Sequence, residues 1–187
     1  MAKLINSDVS IKRSFFDLSH VKDLSCAMGK EYPVLCVPVL PGDNFKWSCD
    51  LLARVESGFV APVNSNPEIR IHLFFNPNRL VWEDWEAWIT ESLSGGSSKT
   101  FPTVAIPTNG FDVGSVADYL DLPVLKGDGI AVSALPFRHL VKIHNDWYRP
   151  AQKSGTSFLV PAKTLDITDG ADTTTYGVAK TDTPLVS

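Results

Sequence analysis

Ile69-Arg70-Ile71-His72-Leu73-Phe74-Phe75-Asn76-Pro77-Asn78-Arg79-Leu80-Val81-Trp82-Glu83-Asp84-Trp85 is the stretch in which the chain changes its period. Up to Phe75 the residues alternate, with Ile69, Ile71, Leu73 and Phe75 on one face and Arg70, His72 and Phe74 on the other, which predicts a strand. Asn76-Pro77-Asn78 breaks that pattern, and Asn78 is placed to cap a helix beginning at Arg79. At about 100° per residue, Val81, Trp82, Trp85, Trp88, Ile89 and Leu93 then share a face, with Glu83, Asp84, Glu86, Thr90 and Glu91 opposite. A strand that runs into an amphipathic helix has two apolar faces to cover, so both elements need packing partners from elsewhere in the chain.

Toward the N-terminus the strand pattern recurs. Val34 to Leu40 is a short apolar run closed by Pro41-Gly42-Asp43, with Pro38 favouring a sheet edge. Phe45, Trp47, Cys49, Leu51 and Ala53 alternate with Lys46, Ser48, Asp50, Leu52 and Arg54, which predicts a half-buried strand. Residues 1–32 have no helical period and read as an extended arm. Toward the C-terminus, Ser94 to Ser98 ends the first helix, and residues 99–114 carry no regular period and read as loop. Gly114-Ser115 precedes a short helix at Val116 to Leu120, closed by Pro123. A second long helix is predicted from Ala134 to Arg149, with Pro136 tolerable in its first turn. Phe137, Leu140, Val141, Ile143, His144, Trp147 and Tyr148 share its apolar face, opposite Arg138, His139, Lys142, Asn145, Asp146 and Arg149. The organisation expected is an arm over 1–32, a body over 33–150 and a loop-like tail over 151–187.

Composition excludes several classes. With 44% hydrophobic and 20% charged residues, the chain can build a core and lacks the signature of disorder over most of its length. The greasiest run, Val34 to Leu40, is interrupted by Pro38 and falls far short of the roughly 20 apolar residues of a spanning helix. Membrane insertion is not expected. Lys3, Asp8, Lys12 and Arg13 interrupt the opening residues, so no secretory leader is predicted. Cys26, Cys36 and Cys49 fit neither a CxxC pair nor a disulfide framework and read as reduced, structural residues. A net charge of −4 argues against a surface wholly committed to nucleic acid while leaving room for a local basic patch.

The search for catalytic chemistry finds none. No phosphate-cradling GxxxxGK[ST] or GxGxxG occurs, and no Gly-x-Ser-x-Gly elbow. His139 and His144 are five residues apart, about 140° on a helix, and cannot chelate one metal together. His144, within an apolar face, reads as a buried histidine held by a hydrogen bond. Asp166, Asp169 and Asp172 miss the donor spacing of a calcium loop and read as a solvated acidic loop. Glu83 and Glu86 point to water, away from any cleft that could fit them for paired acid and base work. No enzyme, metal or cofactor is expected. Trp82, Trp85 and Trp88 form a packing stripe, the commoner use of that spacing. Lys3, Lys12 and Arg13, beside Phe15 and Phe16, could meet phosphates with rings available for stacking or could simply confer solubility. Arg138, Lys142 and Arg149 make a second small basic patch, read as solvated or subunit-facing.

Five blocks stand in one order: Arg13 to His20, Val39 to Phe45, Asn78 to Trp85, Gly114 to Leu120, and Leu135 to Arg138 continuing through Asn145 to Arg149. In that order they resemble the N-terminal part of the major capsid protein of the microviruses, small single-stranded DNA bacteriophages, most closely the gokushovirus branch. The resemblance implies a mainly β fold: a viral jelly roll of two antiparallel sheets with helical and long loop insertions, incomplete in this chain, with its partial sheets in 33–150. It implies a structural subunit that self-assembles into a small icosahedral shell around circular single-stranded DNA. The chain would sit in the virion, and in the host cytoplasm during assembly. Other virion proteins would be partners, and a host receptor would be met through regions beyond Ser187. Structural positions of the family pattern fall on Pro41, Gly42, Asp43, Arg79, Trp82, Trp85, Asp118, Tyr119, Arg138, Asn145, Trp147 and Arg149. The reading from another class is a free-standing jelly-roll module that binds carbohydrate through exposed tryptophan.

Overall fold

A computed structural model describes residues 14–56, 58, 66–90, 99–124, 129–148 and 167–172. Its organising element is helix α3, Leu135–Ile143, whose first turn carries Pro136 where a backbone N–H would have no intrahelical partner. Phe137 and Val141, four residues apart, turn the same face inward, and Leu135 and Arg138 are buried beside them. That face packs on a two-stranded antiparallel sheet, β1 at Thr103–Ala105 and β2 at Ala131–Ser133, in the register Thr103↔Ser133, Val104↔Val132 and Ala105↔Ala131. Hydrogen bonds from Ile106 N to Ile130 O at 2.9 Å and from Ala134 N to Pro102 O at 3.0 Å extend the pairing at both ends. On the other edge of β1, Ala171 bridges Thr103 in parallel, with Asp172 N donating to Thr103 O at 2.8 Å.

The main core forms between this sheet, α3 and the short helix α2, Val116–Tyr119. It comprises Val104, Ile106, Phe111, Val116, Ala117, Ala134, Phe137 and Val141. Val104 and Ile106 point inward and Ala105 outward, as strand alternation demands. Burying Phe111 and Phe137 contributes roughly 1.5–3 kcal/mol each. Helix α2 starts as expected at Ser115, whose buried hydroxyl accepts from Asp118 N at 3.4 Å. A second cluster joins Val81, Trp82 and Leu135, flanked by Trp85 and Phe101.

Several expectations are corrected. Residues 99–114, read as loop, contain β1: Pro102 and Pro107 bracket a run too short to display a period, and its partner β2 lies far along the chain. Asn78 does not cap a long helix. It opens a 3-10 turn, Asn78–Leu80, behind Pro77, and α1 begins only at Trp85, running to Thr90. The second long helix becomes wider after Ile143, where His144–Tyr148 forms a π-helical turn. The wider turn rotates the chain less per residue, so Trp147 leaves the predicted apolar face and is 70% exposed.

The runs 34–40, 45–53 and 69–75 form no strand ladder among the described residues. A strand is stable only beside a neighbour that takes its N–H and C=O groups, and no described segment supplies one there. Their apolar side chains, including Phe45, Trp47, Leu51, Ile69, Leu73 and Phe75, are exposed. Among the described residues no helix is long and apolar enough to cross a membrane.

Candidate functional site

The polar residues with long-range partners lie at joints between segments. At the first joint, Arg138 is 0% exposed, so its place in a solvated basic patch is corrected: it is the internal staple of the structure. Its guanidinium donates to Val81 O at 3.0 Å and Thr168 O at 2.9 Å, and Nε donates to Asp172 Oδ2 at 3.1 Å. Nη2 also pairs with Asp172 Oδ1, and the Asp172 side chain is 1% exposed. Asp172 is therefore no solvated loop residue. Asp169 likewise turns inward, accepting from the Trp82 indole at 2.6 Å, while Asp166 lies outside the described residues. The planar fork of arginine can hold a carboxylate and two carbonyls at once, which fits it for a buried junction.

The second joint is aromatic. Trp82 meets Trp85, Trp88 and Phe101 with ring centroids 5.9, 5.6 and 5.3 Å away, and Trp85 stacks on Trp88. The stripe is spent largely on internal packing. Glu83 and Glu86 on its far side are exposed. His139 Nε2 sits 2.9 Å from Asn78 Oδ1, while its buried Nδ1 has no partner. Burial, and then the Lys142 charge, push the His139 pKa below the usual range and favour the neutral ring.

The third joint ties down the arm. Lys22 Nζ bonds Asp121 Oδ2 at 2.9 Å and also Tyr119 O. Tyr119 donates its hydroxyl to Ser25 O at 2.7 Å and meets Tyr32 edge to face at 4.8 Å. Burial raises the Tyr119 pKa and keeps that hydroxyl protonated. Asp118 Oδ2 accepts from Gly114 N at 2.7 Å, where Gly114 takes φ 78°. Pro41-Gly42-Asp43 is the turn expected, with Gly42 at φ 91° and Asp43 Oδ2 accepting from Leu40 N at 3.0 Å.

Beyond this anchor the arm touches little. Phe15 is 101% and Phe16 83% exposed. Lys3, Lys12, Arg13 and Arg149 lie outside the described residues. Arg79 is exposed, and Asn145 is half-buried with Oδ1 unpartnered. Cys26, Cys36 and Cys49 are free thiols, in line with their reading as reduced, and they are exposed, so their reading as structural residues is corrected. His72, Leu73, Phe74, Trp147 and Tyr148 line an open, mostly apolar pocket of about 480 Å³.

Among the described residues, the predicted site residues do not converge on a cleft. Trp82, Trp85, Asp118, Tyr119 and Arg138 hold joints, whereas Phe15, Phe16 and Trp147 form part of a broad apolar surface. Glu31 and Lys22 carry no local sequence signal, and Asp169 and Asp172 read locally as a solvated loop, because the partners of all four lie far along the chain. Among the described residues, no group of three or more His, Cys, Asp or Glu could hold a metal ion.

Comparison with known proteins places this architecture. The family described as "Capsid protein (F protein)" matches residues 6–182. Capsid protein VP1 of Chlamydia phage 1 is 34% identical over 148 residues, 75% of this chain and 24% of that protein. Capsid protein VP1 of Spiroplasma virus 4 is 32% identical over 142 residues, 74% of this chain and 25% of the relative. For capsid protein VP1 of Bdellovibrio phage phiMH2K the identity is 31% over 119 residues, 63% of this chain and 22% of the relative. The chain spans about a quarter of the length of these relatives.

Proposed function

From the premise that this chain belongs to the phage F capsid protein family, we propose that it acts as a structural subunit of a virion shell, built by self-association and not by catalysis. The observation that carries this reading is the exposed apolar surface over residues 34–55 and 69–75, joined to a small, firmly stapled core. An enzyme needs a cleft with converging polar groups; a shell subunit needs large contact faces and pinned connections. In this reading 33–150 is the partial jelly roll, and the extended runs become sheet strands once further capsid chain or a neighbouring subunit pairs with them. Residues 1–32 serve as an arm and 151–187 as a tail.

Phe15 and Phe16 are the arm's contact residues toward a neighbour. Lys3, Lys12 and Arg13 add charge suited to the packaged single-stranded DNA. The carbohydrate reading gains nothing from the relatives, all named as capsid proteins. Electron microscopy of the protein in its complete capsid polypeptide, under assembly conditions, tests the proposal. Closed shells are the expected result, and soluble monomers alone would overturn it.

A further inference from the structure

Glu31 sits where three segments meet. Its Oε2 lies 3.2 Å from Nδ1 of His144, a ring only 1% exposed, and its Oε1 is buried with no hydrogen-bond donor. Burial, and then the Glu31 charge, raise the pKa of Tyr148 in the same π-helical turn, and its hydroxyl is 2.6 Å from Nδ1 of His72. The rings of Tyr148 and His72 stack at 5.8 Å. The end of the long helix therefore grips the arm segment through His144 and the 69–75 segment through Tyr148. The nearby charged residues on this helix are already engaged: Lys142 with Asp146 at 2.7 Å, and Arg138 with Asp172.

A carboxylate in this position has one covered oxygen without a donor, and ionisation in a partly buried site carries a desolvation cost. A neutral acid avoids most of that cost, because its Oε2–H can donate to Nδ1 of His144 while Oε1 remains an uncharged carbonyl. We propose that Glu31 and His144 form a proton-dependent clasp, which docks the base of the N-terminal arm on the π-helical turn when Glu31 is protonated and loosens when it ionises.

Burial pushes the Glu31 carboxyl up from 4.5 to about 7. Because the docked pKa lies above the released one, the Glu31 contribution to the grip is present below about 4.5 and is lost as pH rises through about 7, with Nδ1 of His144 unprotonated and accepting. The clasp is thus poised to change state near neutrality. It governs how the residues around Glu31 sit on the π-helical turn, while the Lys22 and Tyr119 anchor holds the arm on the N-terminal side of the clasp in either state. The inference stands on contacts within this chain and is independent of the shell role.

The test uses the 187-residue chain. Urea unfolding of wild type and Glu31→Gln is compared at pH 5 and pH 8, since Gln keeps the shape and hydrogen-bonding capacity but cannot ionise. The ratio of the wild-type to the variant unfolding constant should rise on the order of tenfold to a hundredfold between the two pH values. A ratio that changes less than twofold overturns the proposal. Should the variant not fold, carbon NMR of the wild-type Glu31 carboxyl decides the matter: a midpoint near 7 supports the clasp, and a midpoint near 4.5 refutes it.

Discussion

Replacing Arg138 by methionine tests the central staple, because methionine keeps much of the side-chain volume and removes every donor. At least four interactions vanish at once, among them the two contacts to the Asp172 carboxylate and the bonds to Val81 O at 3.0 Å and Thr168 O at 2.9 Å. Asp172, with its side chain 1% exposed, is then a buried charge without its counter-ion. Breaking a buried pair from one side costs roughly 3–5 kcal/mol. Each stranded carbonyl would add about 1–3 kcal/mol if it found no water, but these costs overlap with the first. We expect a net loss of about 4 kcal/mol, close to a thousandfold in the unfolding constant and a large share of the 5–15 kcal/mol typical of a domain. Urea unfolding followed by tryptophan fluorescence is the assay. Trp82 is bonded to Asp169, three residues from Asp172, and so reports on this joint. The double variant Arg138→Met/Asp172→Leu should recover at least half the loss, since no buried charge then remains. A single variant within about 1 kcal/mol of wild type, at unchanged denaturant slope, would refute the reasoning.

Trp82→Ala should cost about 3–5 kcal/mol by opening a void against Trp85, Trp88 and Phe101, as read from its urea midpoint. Ser115→Ala removes the cap of α2 and should cost about 1 kcal/mol, seen as a small drop in melting temperature. His139 has a lowered pKa in the folded chain, so its contribution is complete above about 6.5 and is lost as pH falls through the lower folded value. His139→Gln should accordingly flatten the fall in stability measured from pH 6.5 to pH 5. Phe15→Ala/Phe16→Ala removes two rings that lie almost wholly exposed, so the melting temperature should stay within about 1 °C while shell yield in sedimentation falls. A large loss of monomer stability would contradict that picture.

Local chemistry was legible wherever neighbours in sequence are also neighbours in space. Ser115 before α2, the turn at Pro41-Gly42-Asp43 and the Pro136 start of α3 follow from capping and backbone rules that operate within a few residues. The Phe137 and Val141 face follows from helical spacing. The period-2 reading of 34–40, 45–53 and 69–75 identified where apolar side chains alternate but not whether a pairing neighbour exists. Among the described residues those runs find no strand partner, and most of their apolar side chains stay exposed. The same gap explains β1: its short run between two prolines is made a strand by Ala131–Ser133 on one side and Ala171 on the other.

The sequence by itself determined the family, through ordered motif blocks, and with it the expectation of a shell protein without a catalytic centre. Tertiary structure alone decided which polar residues are internal. On a helical wheel Arg138 belongs to the solvent face, and in the fold it is buried because Val81, Thr168 and Asp172 converge on it. Glu31 looks like an ordinary arm carboxylate until His144, 113 positions away, closes over it. A wheel or a strand pattern describes the environment an element makes for itself. The ionisation state of a buried group depends on the water removed by other segments, and that is set only when distant parts of the chain come together.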